Sequence, residues 1–224
     1  MSGSDLFTRL KAAAPEAWAS YTDHAFVRGM ADGTLPQGAF RHYLAQDYLF
    51  LTHFARAYAL AVYKGRTLAD MRSAARSVSA ILDTEMSLHV RLCTSWGLSE
   101  DDLGRLPESR ATMAYTRFVL EAGLRGDVLD LHVALSPCVL GYGEIAAGLA
   151  SRKGALSEAN PYRGWIEEYS GTPYQAIATD ARKHLDDLAE RYLTPARFPE
   201  IVTLFEQASR LEADFWQMGL TLSS

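Results

Sequence analysis

Apolar positions recur every three to four residues along almost the whole chain, and no stretch keeps the two-residue rhythm of a half-buried strand. This pattern predicts helices near residues 5–20, 23–31, 35–63, 67–96, 108–124, 127–152, 161–169, 173–191 and 195–220. Thr34-Leu35-Pro36-Gln37 and Thr172-Pro173-Tyr174-Gln175 read as capping boxes, in which the threonine accepts from an early amide and the glutamine reaches back. Ser99 before Glu100, Asp127 after Gly126, and Thr194-Pro195 are further expected helix starts. Several predicted helices exceed the average length, and the joints between them are short and marked by Gly or Pro. The expected architecture is all-α, a single domain over residues 1–224.

Two acids interrupt the apolar faces. In the third predicted helix Tyr43, Leu44, Phe50, Leu51 and Phe54 share a stripe, and Asp47 lies in its middle. A carboxylate there is expected to be buried, which costs several kcal/mol unless it is paired or hydrogen-bonded. Either it is structural, bonded to a tyrosine or an amide, or it serves a polar pocket. In the last predicted helix Leu204, Phe205, Ala208, Leu211, Phe215 and Met218 make the face, and Glu212 falls among them. Desolvation raises the pKa of such a glutamate and suits it to general acid or base work near neutrality. The structural alternative is a helix-edge glutamate reaching solvent or paired with an arginine.

The sixth predicted helix carries Leu135-Ser136-Pro137-Cys138-Val139-Leu140-Gly141-Tyr142-Gly143. Pro137 removes one backbone hydrogen bond and bends the axis. Gly141 and Gly143 leave room for a close neighbour or a ligand. Cys138 follows the bend directly, where loosened amides would stabilise a thiolate if the helix restarts there. A lone helix cysteine is more often inert core, and Cys93, near Trp96, is read that way. Tyr115, Tyr142, Tyr162, Trp165 and Tyr169 are candidates to wall a site for a flat heteroaromatic ligand.

Composition narrows the function classes. Of 224 residues 48% are apolar and 22% charged, so the chain suits a globular fold needing neither disulfide nor metal to stay folded. The net charge is −5 with both signs mixed along the length, which speaks against nucleic-acid binding. The N-terminus lacks a signal-peptide apolar core, and no apolar run is read as approaching the ~20 residues of a membrane span. Cys93 and Cys138 stand far apart without a CxxC, which fits a reducing compartment; the expected location is cytoplasmic.

The segments His24-Ala-Phe-Val-Arg-Gly-Met-Ala-Asp-Gly-Thr-Leu-Pro and Phe40-Arg-His-Tyr-Leu-Ala-Gln-Asp-Tyr resemble the N-terminal signature of the TenA (thiaminase II) family. Pro137-Cys138 with Tyr142, then Tyr162-x-x-Trp165-Ile166-x-x-Tyr169, then Leu211-Glu212-x-x-Phe215-Trp216 follow in that family's order. The resemblance covers nearly the full chain. It implies a heme-oxygenase-like helical bundle without heme, usually a homotetramer, needing no cofactor or metal. It implies cleavage of thiamin, or of its breakdown product 4-amino-5-aminomethyl-2-methylpyrimidine, to the hydroxymethyl pyrimidine. By the same resemblance Cys138 matches the nucleophile and Glu212 the acid/base glutamate. Asp47 matches the carboxylate that holds the amino edge of the pyrimidine, and Tyr115, Tyr142 and Tyr169 match the substrate contacts. Phe50 is a departure, because better-studied members carry there a tyrosine whose hydroxyl approaches the cysteine. Its loss is expected to weaken thiolate activation or shift the preferred substrate.

Two rival readings have features to test. A heme- or di-iron-binding relative would draw on His24, on Glu85 with His89, or on Asp180 with His184, although no ExxH pair of the di-iron type is present. A non-catalytic pyrimidine-binding or regulatory protein would bind the ligand without turnover.

Overall fold

The computed structural model describes residues 5–224; the first four positions of the 1–224 reading lie outside the described residues. Among the described residues every regular element is helical. In chain order these are α1 (Leu6–Ala13), α2 (Pro15–Thr22), α3 (Ala25–Asp32), α4 (Gln37–Lys64), α5 (Leu68–Ser79) and α6 (Met86–Ser95). There follow α7 (Glu100–Leu103), α8 (Arg110–Arg125), α9 (Val128–Ser136), α10 (Tyr142–Ala150), α11 (Arg163–Ser170), α12 (Thr172–Tyr192) and α13 (Phe198–Thr221). A π turn, Ala80–Glu85, joins α5 to α6, and a second, Pro137–Gly141, joins α9 to α10.

The expected helix over 5–20 is two helices. Pro15 has no N–H to continue the ladder, and Ala14 before it leaves the helical region at φ −128°, ψ 53°. The expected capping box at Thr34 does not form: Pro36 holds the cap position of α4. The Thr34 and Leu35 amides instead donate to the Gly29 carbonyl, closing α3, whose end turns through Gly33 at φ +70°. The box at Thr172 fails for a different reason. Gly171 is the cap, and the Gln175 amide donates across to the Gly143 and Tyr169 carbonyls, at 3.0 and 2.8 Å. The last helix starts at Phe198, not at Thr194-Pro195, because Pro199 takes the first-turn position while Thr194 Oγ1 accepts from the Arg197 amide. Ser99 and Asp127 do cap α7 and α9, and Asp127 forms a reciprocal box with Asp130. Arg197 binds both aspartates, at 2.8 and 2.9 Å, and pins the start of α13 to the start of α9.

The stretch Val128–Ala150 corrects the membrane reading. With a mean hydropathy of 1.4 over its most apolar window, it is long and apolar enough to cross a bilayer, yet 72% of that window is buried inside the fold. It is apolar all round because it runs through the core. Alongside it α13 packs against α2, α4, α8 and α9, so side chains from five elements meet in one interior layer. Gln46 sets the depth of α8. Its Oε1 accepts from the Ser109 amide (2.8 Å) and Thr112 Oγ1 (2.7 Å), while its amide donates to the Pro107 carbonyl (3.0 Å).

Candidate active site

Asp47 sits midway along α4, only 4% exposed, as its place on the apolar stripe predicts. Tyr43, one turn earlier, donates from its hydroxyl to Asp47 Oδ2 (3.3 Å) or to the Tyr142 hydroxyl (3.4 Å). Trp165 Nε1–H donates to the Tyr43 oxygen at 3.1 Å, which leaves the tyrosine proton for those two acceptors. The structural alternative, an aspartate bonded to a tyrosine, is therefore realised. It does not exhaust the surroundings, because His89 of α6 brings Nδ1 to 3.5 Å from Oδ2. Burial pushes the Asp47 carboxyl up to about 7, and the Tyr43 hydrogen bond only partly offsets it.

Glu212, on α13, is 1% exposed and has no arginine partner among the described residues. It accepts a hydrogen bond from the Tyr115 hydroxyl of α8 at 2.9 Å. Burial first, and the Asp47 charge to a smaller degree, push its carboxyl up to about 8. The acid is therefore largely protonated at neutral pH. Phe50 packs on the other side of Tyr115, ring centroids 5.0 Å apart, and against Phe215 at 5.8 Å.

Cys138 lies in the π turn and is half-buried. The turn answers Pro137's missing N–H by widening the helix, a feature often found at functional sites. Its loosened carbonyls are taken up by neighbours: Tyr21 donates to the Pro137 carbonyl (3.2 Å) and Tyr174 to the Val139 carbonyl (3.1 Å). Gly141 is required for this packing, since a Cβ there would meet Tyr21 Cε1 at 2.5 Å. The expected thiolate-stabilising amides are not what the thiol meets. Burial, then the charges of Glu212, Asp47 and Glu85, push it well above the ordinary thiol range. Among the described residues its sulfur makes no hydrogen bond with a hydroxyl, and the ring at position 50 carries none.

The Asp47 and Glu212 charges, from α4 and α13, both act on the Cys138 thiol of the π turn, and the Asp47 charge acts on Glu212, which places the three groups in one region of the interior. Tyr142 and Tyr169 close it, ring centroids 5.2 Å apart, with Trp165 at 5.7 and 4.6 Å from them. Tyr162 does not join this wall. It stacks on Trp96 and tilts against Phe40, and its hydroxyl donates to the Leu35 carbonyl. Trp216, four residues after Glu212, keeps its indole N–H buried without a partner among the described residues. Glu85 was visible in the sequence only as a possible metal ligand. It is half-buried at the end of the other π turn, and burial with the Asp47 and Glu168 charges pushes it up to about 7.

His24 caps α3, its Nδ1 accepting from the Phe26 amide at 3.2 Å. His184 packs edge-on against His132, ring centroids 4.8 Å apart, beside a small cavity lined also by Asp70 and Leu188. A second small cavity lies behind the π turn, against Tyr58, Ser136, Val139 and Leu140. Neither is lined by Cys138, Asp47 or Glu212.

Residues 11–222 match the model of the TENA/THI-4/PQQC family. An uncharacterised Haemophilus influenzae protein is 40% identical over 92% of this chain and 94% of its own. An aminopyrimidine aminohydrolase of Halalkalibacterium halodurans is 34% identical over 90% of this chain and 89% of its own. The crystal structure of a TenA family transcription regulator from a Silicibacter species superposes with a TM-score of 0.90 at 47% identity, covering 96% of each chain. A Shewanella denitrificans domain of unknown function with a heme-oxygenase-like fold superposes at 0.76 with 13% identity, covering 99% of this chain and 94% of that one. That likeness concerns the fold alone, and the fold is heme-oxygenase-like.

Proposed function

The chain belongs to the TENA/THI-4/PQQC family, and from that premise we propose that it is a thiaminase II-type hydrolase. Its proposed substrate is an aminopyrimidine, either thiamin or 4-amino-5-aminomethyl-2-methylpyrimidine, and its product the hydroxymethyl pyrimidine. The observation that carries the reading is a half-buried thiol gathered with two buried acids, Glu212 and Asp47, whose pKa values lie near neutrality.

Cys138 is the proposed nucleophile. In the resting site thiol and acid are both protonated, so the addition must move protons without building charge. Glu212 passes its proton to a ring nitrogen and takes the thiol proton, while sulfur bonds to the adjacent ring carbon. The exocyclic amino group, held by Asp47, then pushes electrons through the ring and breaks the bond from the methylene to its leaving group: an amine takes the proton that Glu212 gained from the thiol and leaves as the neutral amine, whereas the thiazole of thiamin leaves without one. Water adds to the methylene and gives its proton to Glu212, or to solvent when thiazole has left; the carbon–sulfur bond then breaks and the ring-nitrogen proton passes to sulfur to restore the thiol. Tyr115 orients Glu212 through its hydroxyl, while Tyr142 and Tyr169 pack against the ring and Phe50 backs Tyr115. Substrate enters by moving side chains near Cys138, where Tyr58, Tyr174 and Glu85 are also half-buried. No step calls for a metal or cofactor. Assembly as a homotetramer and a cytoplasmic location complete the proposal.

The test is ammonia release across a panel of aminopyrimidines, with pyrimidine product followed by chromatography. The reading expects turnover of thiamin or of the aminomethyl pyrimidine. Tight binding of every member without product would overturn it in favour of a binding protein.

A further inference from the structure

His89 has no part in the scheme above, yet both of its ring nitrogens are committed. The residue is 5% exposed, on α6, facing the middle of α4. Nε2 lies 2.8 Å from the Leu44 carbonyl oxygen. A carbonyl can only accept, so Nε2 must carry the hydrogen. Burial pushes the imidazole down to about 4, which keeps it neutral, and a neutral ring with Nε2–H has a bare lone pair on Nδ1. That lone pair faces Asp47 Oδ2 at 3.5 Å. The distance is long for a formed hydrogen bond, but small rotations close it when a ligand tightens the site.

Two bare acceptors facing each other in the interior repel, whereas one proton between them binds them together. Asp47, whose carboxyl burial raises to about 7, keeps that proton below neutral pH and shares it near pH 7. The Tyr43 hydroxyl approaches the same oxygen, and a carboxyl O–H can accept from Tyr43 while donating to His89. Oδ1 has no hydrogen-bond partner among the described residues. The titratable groups that the Asp47 charge reaches are Tyr43 from its own helix, Glu85 and Cys93 from the α5–α6 stretch, and Cys138 from the π turn. Tyr142, Tyr169 and Glu212 complete the set from α10, α11 and α13. None is cationic, so among these groups no positive charge favours the ionised Asp47 carboxylate over its protonated form.

We propose that His89 is a positioning residue that locks the Asp47 proton on Oδ2, leaving Oδ1 as a pure acceptor that selects a ring bearing an exocyclic amine over the same ring bearing an oxo group. The inference rests on the aminopyrimidine reading of the site. Without the imidazole the carboxyl proton is free to move to Oδ1, where it would donate to an oxo group, and the selection relaxes.

Two substitutions separate this from a packing role. His89→Gln keeps an amide to donate to the Leu44 carbonyl and removes the acceptor facing Asp47. His89→Asn places an amide oxygen near the Nδ1 position and restores that acceptor. The wild type is expected to bind the 4-amino product over its 4-oxo analogue by a large ratio. His89→Gln should lower that ratio about tenfold and raise KM with kcat little changed. His89→Asn should recover most of the ratio. An unchanged ratio in a folded His89→Gln protein, or equal loss in both variants, would overturn the proposal. Should the variants not fold, nitrogen-15 spectra of the imidazole in the ligand-free wild type decide it: an Nε2–H tautomer supports the lock, and an Nδ1–H tautomer sinks it whatever the substrate proves to be. A wild type that neither binds nor turns over aminopyrimidines, yet has the Nε2–H tautomer, would refute the functional reading while leaving the lock on Asp47 standing.

Discussion

The middle of α4 and the middle of α13 each bury one acid on an apolar stripe, and they treat it differently. Asp47 lies among Tyr43, Trp165, Tyr142 and His89, a polar group that spans four helices. Glu212, 1% exposed, has a single hydrogen-bond partner among the described residues, the Tyr115 hydroxyl. Both carboxyls are pushed toward neutrality by desolvation, to about 7 and about 8. A networked acid is held in orientation, whereas a lone one is held in protonation state. The first arrangement suits recognition of a fixed ring edge, and the second suits delivery of a proton.

If that division holds, substitutions should separate rate from affinity. The largest effect is expected for Glu212→Gln, which keeps the shape and removes the transferable proton. Its kcat for aminopyrimidine hydrolysis should fall about 1,000-fold while product binding changes little. Asp47→Asn should act mainly on recognition, lowering kcat/KM about 100-fold with much of the loss in KM. Tyr115→Phe removes the one hydrogen bond that favours ionised Glu212, so kcat/KM should drop about tenfold and its alkaline limb should move upward from pH 8. In the wild type that limb should fall as pH rises through about 8, where Glu212 loses its proton.

The smallest effect concerns stability. A carboxyl whose folded pKa lies above its unfolded value holds more protons in the folded state, so ionisation destabilises the fold as pH climbs between the two values. For Glu212 that window runs from 4.5 to about 8. Glu212→Gln should therefore melt about 5 °C higher than wild type at pH 9, and the difference should shrink at pH 5. His89 and His132, both pushed down to about 4, act in the opposite sense, since the fold loses stability as pH falls from 6.5 toward 4.

Much of this was legible in the chain because burial writes a periodic signal. Asp47 and Glu212 stood out as charges at positions where three- and four-residue spacing demands apolar side chains, and both proved to be buried. The bend at Pro137 was equally plain, since a missing N–H has only local remedies. The π turn that it produces was not, because one extra residue per turn barely disturbs apolar spacing over a long helix. Cap positions failed where a side chain found a better tertiary partner, as Gln175 did at the Gly143 carbonyl. His89 was the hardest to read. Sequence spacing ties it to Glu85, one turn earlier in the chain, whereas its chemistry is set by Leu44 and Asp47, more than forty residues away.

The most direct test of the whole account is the steady-state rate of Cys138→Ser on the aminomethyl pyrimidine, measured beside its affinity for the hydroxymethyl product. The serine hydroxyl nearly matches the thiol in size but is a far poorer nucleophile, so the account predicts a loss of at least about 1,000-fold in kcat with product still bound. Turnover within about tenfold of wild type would contradict it, because Glu212 and Asp47 would then be working without the sulfur.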